Sequence, residues 1–295
     1  MSNKPPPTID PPAARRWQQM HAGPSPWLHE EVARRMEERL KWIKLQPTQW
    51  VHWEAARGGL QAHALLAARY PDAACYVTET HEARADYVSK RLSKPWWRPG
   101  RWTARPPWFG VPPDGASQML WANMVLHMSA DPQGLIVQWR RALAVDGFVM
   151  FSCLGPDTLQ ELRGLYQTLG WPVPSHEFTD MHDWGDMLAA AGFAEPVMDM
   201  ERITLTFETP ARLLEELRGL GRNLHPQRFP GLRGRQWRAQ LLEELQAAPL
   251  QLSFEVIYGH AFKPQPRVDM RPEIAISLAE MREALHQRKS YPKEP

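Results

Sequence analysis

QWVHWEAARGGLQAHALLAARYPDAACYVTE, residues 49–79, contains the clearest folding signal in this chain. The apolar run at 49–53 predicts a short strand, and the small residues at 54–59 predict a turn. The Ala- and Leu-rich stretch at 60–70 predicts a helix that a Pro-Asp pair ends, and 74–78 predicts a second strand. Two strands joined by a helix within about 30 residues are typical of a βαβ unit. The unit predicts two parallel strands.

Strands and helices continue to alternate around this unit. Apolar residues recur every four positions over 28–40, which predicts an amphipathic helix. Further strands are predicted at 119–122, 148–153, 198–207 and 250–258, and further helices at 81–92, 131–144, 156–169, 182–191, 212–220, 236–246 and 274–286. Residues 148–153 are the most apolar strand, so we expect them in the middle of the sheet. This order predicts a mainly parallel, doubly wound α/β sheet, in which the last two strands suit an antiparallel edge.

Proline and tryptophan are unusually frequent, at 29 and 14 residues. Seven of the prolines fall in residues 1–26, which we interpret as an arm with a turn of helix at 13–20. Residues 93–113 are rich in Trp, Arg and Pro, and we interpret them as an irregular segment that replaces a strand. The predicted organisation is a Pro-rich arm at 1–26, an α/β domain at 27–270 with a cap inserted at about 208–248, and a C-terminal helix and tail at 271–295.

Charge and cysteine content exclude several classes of protein. The 35 Lys and Arg nearly balance the 33 Asp and Glu, which argues against a protein that mainly binds polyanions, and no DNA- or RNA-binding motif occurs. No apolar run approaches a membrane span, and the first ten residues lack the apolar core of a signal peptide, so we expect a cytoplasmic protein. Cys75 and Cys153 are too few for a disulfide framework, and the histidines lack metal-ligand spacing, so no metal site is predicted.

Several chemistry-bearing residues follow predicted strands at their carboxyl ends, where doubly wound sheets bind ligands. The small-residue turn at 54–59 would let the backbone approach a nucleotide closely. Glu79 ends the second strand, and a carboxylate has two acceptor oxygens that could take both hydroxyls of a ribose. Asn123 follows the strand at 119–122. An ordinary turn at 58–59 and a surface helix cap at Glu79 explain the same residues equally well.

Longer stretches resemble a known family. Residues 120–163, LWANMVLHMSADPQGLIVQWRRALAVDGFVMFSCLGPDTLQELR, are similar to class I S-adenosylmethionine-dependent methyltransferases. Residues 178–207, 217–224 and 252–262 resemble the branch that makes malonyl-carrier-protein methyl ester at the start of biotin synthesis. The resemblance covers roughly residues 27–265. It implies a Rossmann-like methyltransferase fold with a helical cap, S-adenosylmethionine as cofactor, an acyl carrier protein as partner, and O-methylation of the free carboxylate of the malonyl thioester.

The resemblance also assigns cofactor residues by position. These are Glu54, Ala56 and Gly58 in the three glycine places of the loop, Glu79 in the acidic ribose-binding place, and Asn123 near the methionine end. Only Gly58 is still a glycine, and His52 stands where the family usually has an acidic residue. Glu54 brings a carboxylate to the place where the cofactor's own carboxylate belongs, and like charges repel strongly at low dielectric. The alternative is therefore a catalytically inactive relative with a binding or regulatory role.

The implied reaction needs few catalytic groups. A carboxylate is a competent nucleophile at neutral pH, and attack on a sulfonium methyl needs in-line positioning rather than a general base, so we predict no catalytic residue. His127, Tyr258 and His260 are candidate pocket residues, with a structural role for His127 as the alternative. The basic stretch 212–238 suggests a docking surface for an acidic carrier protein, although a solvated helical face is the simpler explanation. Its candidate residues are Arg212, Arg218, Arg222 and Arg228.

Overall fold

The computed structural model describes residues 9–20, 23–92 and 106–266, together with Ala279, Met281 and Arg282. Internal contacts divide the chain into two units, residues 1–264 and residues 265–295. The first unit contains the sheet and every site discussed below. In the second unit, Ala279, Met281 and Arg282 are helical. No described helix is long and apolar enough to cross a membrane.

Strands and helices alternate along the first unit. The strands are β1 (Gln49–Trp53), β2 (Ala74–Thr78), β3 (Trp108–Phe109), β4 (Ser117–Ala122), β5 (Leu143–Leu154), β6 (Ala194–Thr206) and β7 (Gln251–Phe262). The helices are α1 (Pro11–Gln19), α2 (Trp27–Arg39), α3 (Ala55–Gly58), α4 (Leu60–Arg69), α5 (Glu82–Leu92), α6 (Pro132–Ala142), α7 (Gln160–Thr168), α8 (Met181–Ala190), α9 (Pro210–Leu220) and α10 (Arg235–Gln246). Helices α9 and α10 lie between the last two strands, where the cap was predicted.

The seven strands form one sheet in the order β3-β2-β1-β4-β5-β7-β6. Strands β1 to β5 are parallel to one another, whereas β7 is antiparallel to both β5 and β6. The prediction of a doubly wound sheet with an antiparallel last strand is confirmed. The strand order reverses between β1 and β4, so the carboxyl ends of these strands form the switch point at which such sheets bind ligands.

The third strand corrects the interpretation of residues 93–113. Residues 108–109 form β3 and pair in parallel with β2, with Tyr76 opposite Trp108. Proline prevents a helix but is tolerated at a sheet edge, which is where this strand lies. The replacement of a strand by an irregular segment is therefore wrong for residues 108–109. Residues 93–105, which include Trp96, Trp97 and Trp102, lie outside the described part of the chain.

Two other elements differ from their predicted bounds. The strand predicted at 148–153 begins earlier, at Leu143, and contains an irregularity where Asp146 has a φ of 63° and the register opposite β4 shifts as at a β-bulge. The helix predicted at 156–169 begins at Gln160, because Leu159 is left-handed, with a φ of 60°. The Leu159 amide donates to the carbonyl of Ser253 on β7. This long-range hydrogen bond fixes the residue that precedes α7.

The sheet carries an apolar core on each face. Successive strand residues point to opposite faces, so Trp50 packs with α2 and α4 whereas Val51 packs with α6 and α8. The Trp excess serves this core, since four of the largest fully buried side chains are Trp50, Trp121, Trp139 and Trp184. The periodic residues of α2 and its following turn are buried as predicted, at Leu28, Val32, Met36 and Leu40. Both cysteines are free and buried.

The described part of the Pro-rich arm packs against the first unit. Helix α1 contributes Ala13, Ala14 and Trp17 to a small apolar cluster with Leu224, which follows α9. The Asp10 amide donates to the Leu224 carbonyl at 2.9 Å, and the Asp10 carboxylate pairs with Arg228 at 2.6 Å. These contacts hold α1 beside the cap and across the carboxyl edge of the sheet.

Candidate functional site

Two cavities open at the carboxyl edge of the sheet. Cavity A, of about 280 Å³, lies at the ends of β1 and β4 and is lined by Trp17, Trp53, Glu54, Arg57 and Thr80, among others. Its walls therefore combine two indoles with a carboxylate, a guanidinium and a hydroxyl. A few polar groups in a mostly apolar cleft are typical of a small-molecule site.

Cavity B, of about 340 Å³, lies between the sheet and the cap. Most of its walls are apolar and come from β5, α7, α9, α10 and β7, and its polar lining includes His127, His176, Arg218 and Arg222. Met128 and Leu220 line both cavities. A group bound in cavity A and a group bound in cavity B would therefore meet beside these two side chains.

The loop after β1 closes on itself as a helical turn. Glu54 is left-handed, with a φ of 56° and a ψ of 50°, and α3 follows directly. The amides of Arg57 and Gly58 donate to the Glu54 carbonyl, and the amide of Gly59 donates to the Ala55 carbonyl. The Ala56 amide donates to the Glu79 carboxylate at 2.7 Å. The backbone donors of 56–59 therefore bond within the protein rather than facing cavity A.

A buried guanidinium joins the two carboxylates of this site. Arg84, on α5, lies 2.9 Å from Glu54 and 3.2 Å from Glu79. All three side chains are more than nine-tenths buried. The remaining Glu54 oxygen accepts from the Thr80 amide at 3.0 Å. Burial, followed by repulsion from Glu54, raises the pKa of Glu79 to about 8. Both Glu79 oxygens already accept hydrogen bonds, from Ala56 and Arg84.

Asn123 ties the loop to the neighbouring strands. Its amide nitrogen donates to the carbonyl of His29 at 2.8 Å and to the carbonyl of Gly58. Its side-chain oxygen accepts from the Ser152 hydroxyl at 2.6 Å. A Cβ on Gly58 would lie 3.0 Å from the Asn123 carbonyl oxygen, which explains why a glycine remains here. Asn123 is completely buried, so its amide braces the loop from behind.

The sequence comparisons identify the family. No protein-family model matches the chain. The chain is 38% identical over 253 residues to the malonyl-[acyl-carrier protein] O-methyltransferase of Gallionella capsiferriformans, which covers 82% of this chain and 86% of the relative. It is 36% identical over 255 residues to the enzyme of the same name from Laribacter hongkongensis, covering 81% and 84%. The chain belongs to the malonyl-[acyl-carrier protein] O-methyltransferase family.

Solved structures agree on the fold. The YcgJ protein of Bacillus subtilis matches with a TM-score of 0.53 at 12% identity, over 78% of this chain and 98% of that one. The [4+2]-cyclase SpnF matches with a TM-score of 0.53 at 14% identity, over 88% and 99%. At such low identity these likenesses concern the fold alone. They agree with the Rossmann-like sheet expected of a member of this methyltransferase family.

The five residues that the family resemblance assigns to the cofactor differ in whether they reach cavity A. All five gather at the switch point, but only Glu54 is among the residues that line cavity A. Ala56, Gly58, Asn123 and the side chain of Glu79 are buried behind it and bond to one another or to their neighbours. The predicted use of both Glu79 oxygens for ribose hydroxyls conflicts with their bonds to Ala56 and Arg84.

Three residues of the site were missed by sequence reasoning. Trp17 and Arg57 line cavity A, and Arg84 holds its two carboxylates. The Arg57 guanidinium stacks on the Trp17 ring at 3.7 Å and donates to the Trp17 carbonyl, while Arg84 donates to the Gln18 carbonyl. Arg57 lies inside the small-residue loop at 54–59, so the sequence could have identified it as a candidate site residue. The contribution of α1 was not detectable, because it depends on contacts about 40 residues apart in the chain.

His127 is buried and is among the residues that line cavity B. Its carbonyl accepts from His176 Nε2 at 2.9 Å, and among the described residues neither ring's Nδ1 has a partner. Burial lowers the pKa of His127 well below its usual value and that of His176 to about 4, so both rings are neutral near pH 7. His52 stacks in parallel on His63, with their Nδ1 atoms 3.4 Å apart, and both are buried.

Tyr258 and His260 do not join the site. Because β7 is antiparallel, its carboxyl end runs back toward the amino end of β5, and His260 pairs with Met150. The Tyr258 hydroxyl donates to Glu201, and Arg39 stacks on its ring at 3.7 Å. Neither side chain lines cavity A or cavity B. The prediction that they share the rim of the pocket is therefore wrong.

The four candidate arginines of the cap divide into two pairs. Arg212 pairs with Glu215 and Glu216 on its own helix, and Arg228 pairs with Asp10 of the arm. Arg218 and Arg222 line cavity B, and no carboxylate of the described residues forms an ion pair with either. Of these four arginines, only Arg218 and Arg222 therefore have charges left for a bound anion.

Proposed function

We propose that this chain transfers a methyl group to the free carboxylate of a malonyl thioester carried by an acyl carrier protein, as the name of its relatives states for them. The observation that carries the proposal is the junction of cavities A and B at Met128 and Leu220. A transfer between two bound molecules needs two sites that meet, since the reacting atoms must come within about 3–3.5 Å of each other.

Cavity A is the proposed site for S-adenosylmethionine, which supplies, when bound, a methyl group activated by its sulfonium centre. The chemistry of the walls suits this cofactor. Trp53 offers an aromatic wall to an adenine, and Thr80 offers a hydroxyl. The carboxylate of Glu54, which would otherwise repel the cofactor's own carboxylate, is neutralised by Arg84 at 2.9 Å. We therefore assign binding to the cavity walls and the support of those walls to Glu79, Gly58 and Asn123.

Cavity B is the proposed site for the acyl thioester arm. Its apolar walls would exclude water from the reacting carboxylate, and Arg218 and Arg222 would attract the acidic carrier. Reversal of Arg218 to Glu should weaken carrier association at low salt, and added salt should shrink the difference. Unchanged association would reject this docking surface. The matched control is Arg212→Glu, because Arg212 is already paired with Glu215 and Glu216.

The proposal is tested by incubating the purified chain with malonyl-acyl-carrier protein and S-adenosylmethionine carrying a labelled methyl group. We expect label in a base-labile ester on the carrier and none on acetyl-acyl-carrier protein, which lacks the free carboxylate. Label on both carriers, or on neither, would refute carboxylate methylation.

A second function, a binding or regulatory relative without catalysis, is favoured by one observation. The amides of 56–59 and both oxygens of Glu79 are committed to partners within the protein. Calorimetry with S-adenosylmethionine and S-adenosylhomocysteine separates the two functions. Binding of either ligand supports the enzyme, whereas absence of heat and of any thermal shift at millimolar ligand would favour the non-catalytic relative.

A further inference from the structure

Two guanidinium groups share one indole where the cavities meet. Arg57 lies 3.7 Å from the centre of the Trp17 ring and Arg222 lies 5.6 Å from it. Arg57 lines cavity A and Arg222 lines cavity B, while Leu220, two residues before Arg222, lines both. The two positive charges therefore lie on either side of the junction.

Neither guanidinium has a carboxylate partner among the described residues. Arg57 donates through Nη2 to the carbonyls of Trp17 and Met20, and Arg222 donates through Nη1 to the carbonyls of Arg218 and Gly221. Glu54, the carboxylate in the same cavity, is already paired with Arg84. Each guanidinium thus keeps nitrogen donors for which the described chain provides no acceptor.

Placing two like charges on one ring is unfavourable without an anion between them. Burial and repulsion from Arg84 and Arg222 outweigh the attraction of Glu54 and Glu79 and lower the pKa of Arg57 to about 10, so the group is still charged at neutral pH. Guanidinium groups bind carboxylates through paired, charge-assisted hydrogen bonds. The arrangement has the chemistry of a carboxylate site.

We propose that Arg57 and Arg222 together bind the free carboxylate of the acyl substrate at the junction of cavities A and B. This inference rests on the proposed function, and it names the residues that position the accepting oxygen. The accepting carboxylate has to lie at the junction, and Arg222 lines the substrate cavity rather than the cofactor cavity.

The same site would favour release of the product. Methylation converts the carboxylate into a neutral ester, which has no negative charge to pair with two guanidinium groups. The protein would therefore hold the acid and release the methyl ester. Discrimination between acid and ester is a direct consequence of the proposed site, and it can be measured without any methyl donor.

The experiment is calorimetry of the full chain with malonyl-pantetheine and with its methyl ester. We expect the wild type to bind the acid at least tenfold more tightly than the ester. Arg57→Gln and Arg222→Gln should each weaken binding of the acid by about tenfold and leave the ester within twofold. Arg222→Lys should recover part of the loss, because the charge is retained. Arg235→Gln, at an exposed position on α10, should change neither affinity.

The outcomes separate this inference from the proposed function. Equal binding of acid and ester by the wild type would overturn the carboxylate site alone. Weaker S-adenosylhomocysteine binding in both Gln variants, with the acid-to-ester ratio intact, would also overturn it, because the anion would then be that of the cofactor. Failure of the wild type to bind either thioester would refute the proposed function and the site with it. Arg222 is exposed, so Arg222→Gln should fold normally, which a thermal melt checks.

Discussion

The guanidinium of Arg84 lies 2.9 Å from the carboxylate of Glu54, and both side chains are more than nine-tenths buried. The same guanidinium lies 3.2 Å from Glu79, whose pKa is raised to about 8, so one cation contacts two buried carboxyl groups of which Glu79 is largely protonated near pH 7. This pairing lets a carboxylate stand in a place that the family resemblance aligns with glycine. The conformation of the cofactor loop thus depends on a side chain 30 residues away in the chain.

Removal of the shared cation should be strongly destabilising. Arg84→Met would leave two buried carboxylates facing each other, and we expect the free energy of unfolding to fall by about 3–5 kcal/mol. The control is Arg141→Met, whose pair with Asp114 is two-thirds exposed on each side and should contribute no more than about 1 kcal/mol. Urea unfolding of the two variants measures both losses. Similar losses in the two variants would mean that the buried Arg84 contacts stabilise the fold no more than the exposed Arg141 pair does.

Glu54→Gly should tighten the binding of S-adenosylhomocysteine by up to about tenfold, because it frees the Arg84 guanidinium from its Glu54 partner and leaves it able to pair with the ligand's carboxylate. Glycine also adopts a φ of 56° without the Cβ penalty of about 1–2 kcal/mol. Glu54→Gln removes the charge but keeps the backbone strain, so calorimetry of both variants separates the two effects. If binding weakens in both variants, Glu54 holds the cofactor instead of opposing it.

Stability should fall as the pH drops below about 6.5. Burial lowers the pKa of His29, His63 and His176 to about 4, so between pH 6.5 and 4 the unfolded chain binds these protons and the folded chain does not. Each histidine then contributes a slope of up to about 1.4 kcal/mol per pH unit. Glu79 opposes them with a single proton, because its pKa is raised to about 8.

Urea unfolding at pH 7, 6 and 5 measures this slope. His63→Phe should reduce this slope by up to about 1.4 kcal/mol per pH unit, which is the contribution of one proton. The control is Val88→Ala, a buried residue that does not titrate, which should lower stability about equally at each pH and leave the slope unchanged. A wild-type stability that is flat from pH 7 to 5 would contradict the neutral, buried state of these rings.

Asn123→Ala should lower the free energy of unfolding, because Asn123 links the loop after β1 to the neighbouring elements. The substitution leaves the buried carbonyls of Gly58 and His29 and the Ser152 hydroxyl without their partner, at a cost of about 2–4 kcal/mol. Asn223→Ala removes a hydrogen bond to the Val173 carbonyl and one from the His225 amide, both made by a partly exposed side chain, and should cost less than about 1.5 kcal/mol. Chemical denaturation compares the two variants, and an equal cost would argue against the bracing role of Asn123.

Much of the fold could be predicted because its signals are local. The βαβ unit of residues 49–79 and the apolar period of α2 reflect how neighbouring residues share a face. The short edge strand β3 was missed, because two residues beside prolines carry too little pattern. The start of α7 was also predicted too early, because the Leu159 amide forms a hydrogen bond with the Ser253 carbonyl on β7. Bounds that depend on distant partners cannot be recognised from local periodicity.

The sequence alone was sufficient for the family, the sheet and the gathering of Glu54, Glu79 and Asn123 at one edge, because parallel strands bring their carboxyl ends together. It could not indicate whether those groups face a ligand or each other. That outcome depends on Arg84 and on α1, which reach the loop from other parts of the chain. The antiparallel last strand was predicted, but the position of Tyr258, whose hydroxyl donates to Glu201 on β6, likewise depends on long-range pairing. Buried polar groups bond to whatever partners the packed fold supplies, and those partners are set by long-range contacts.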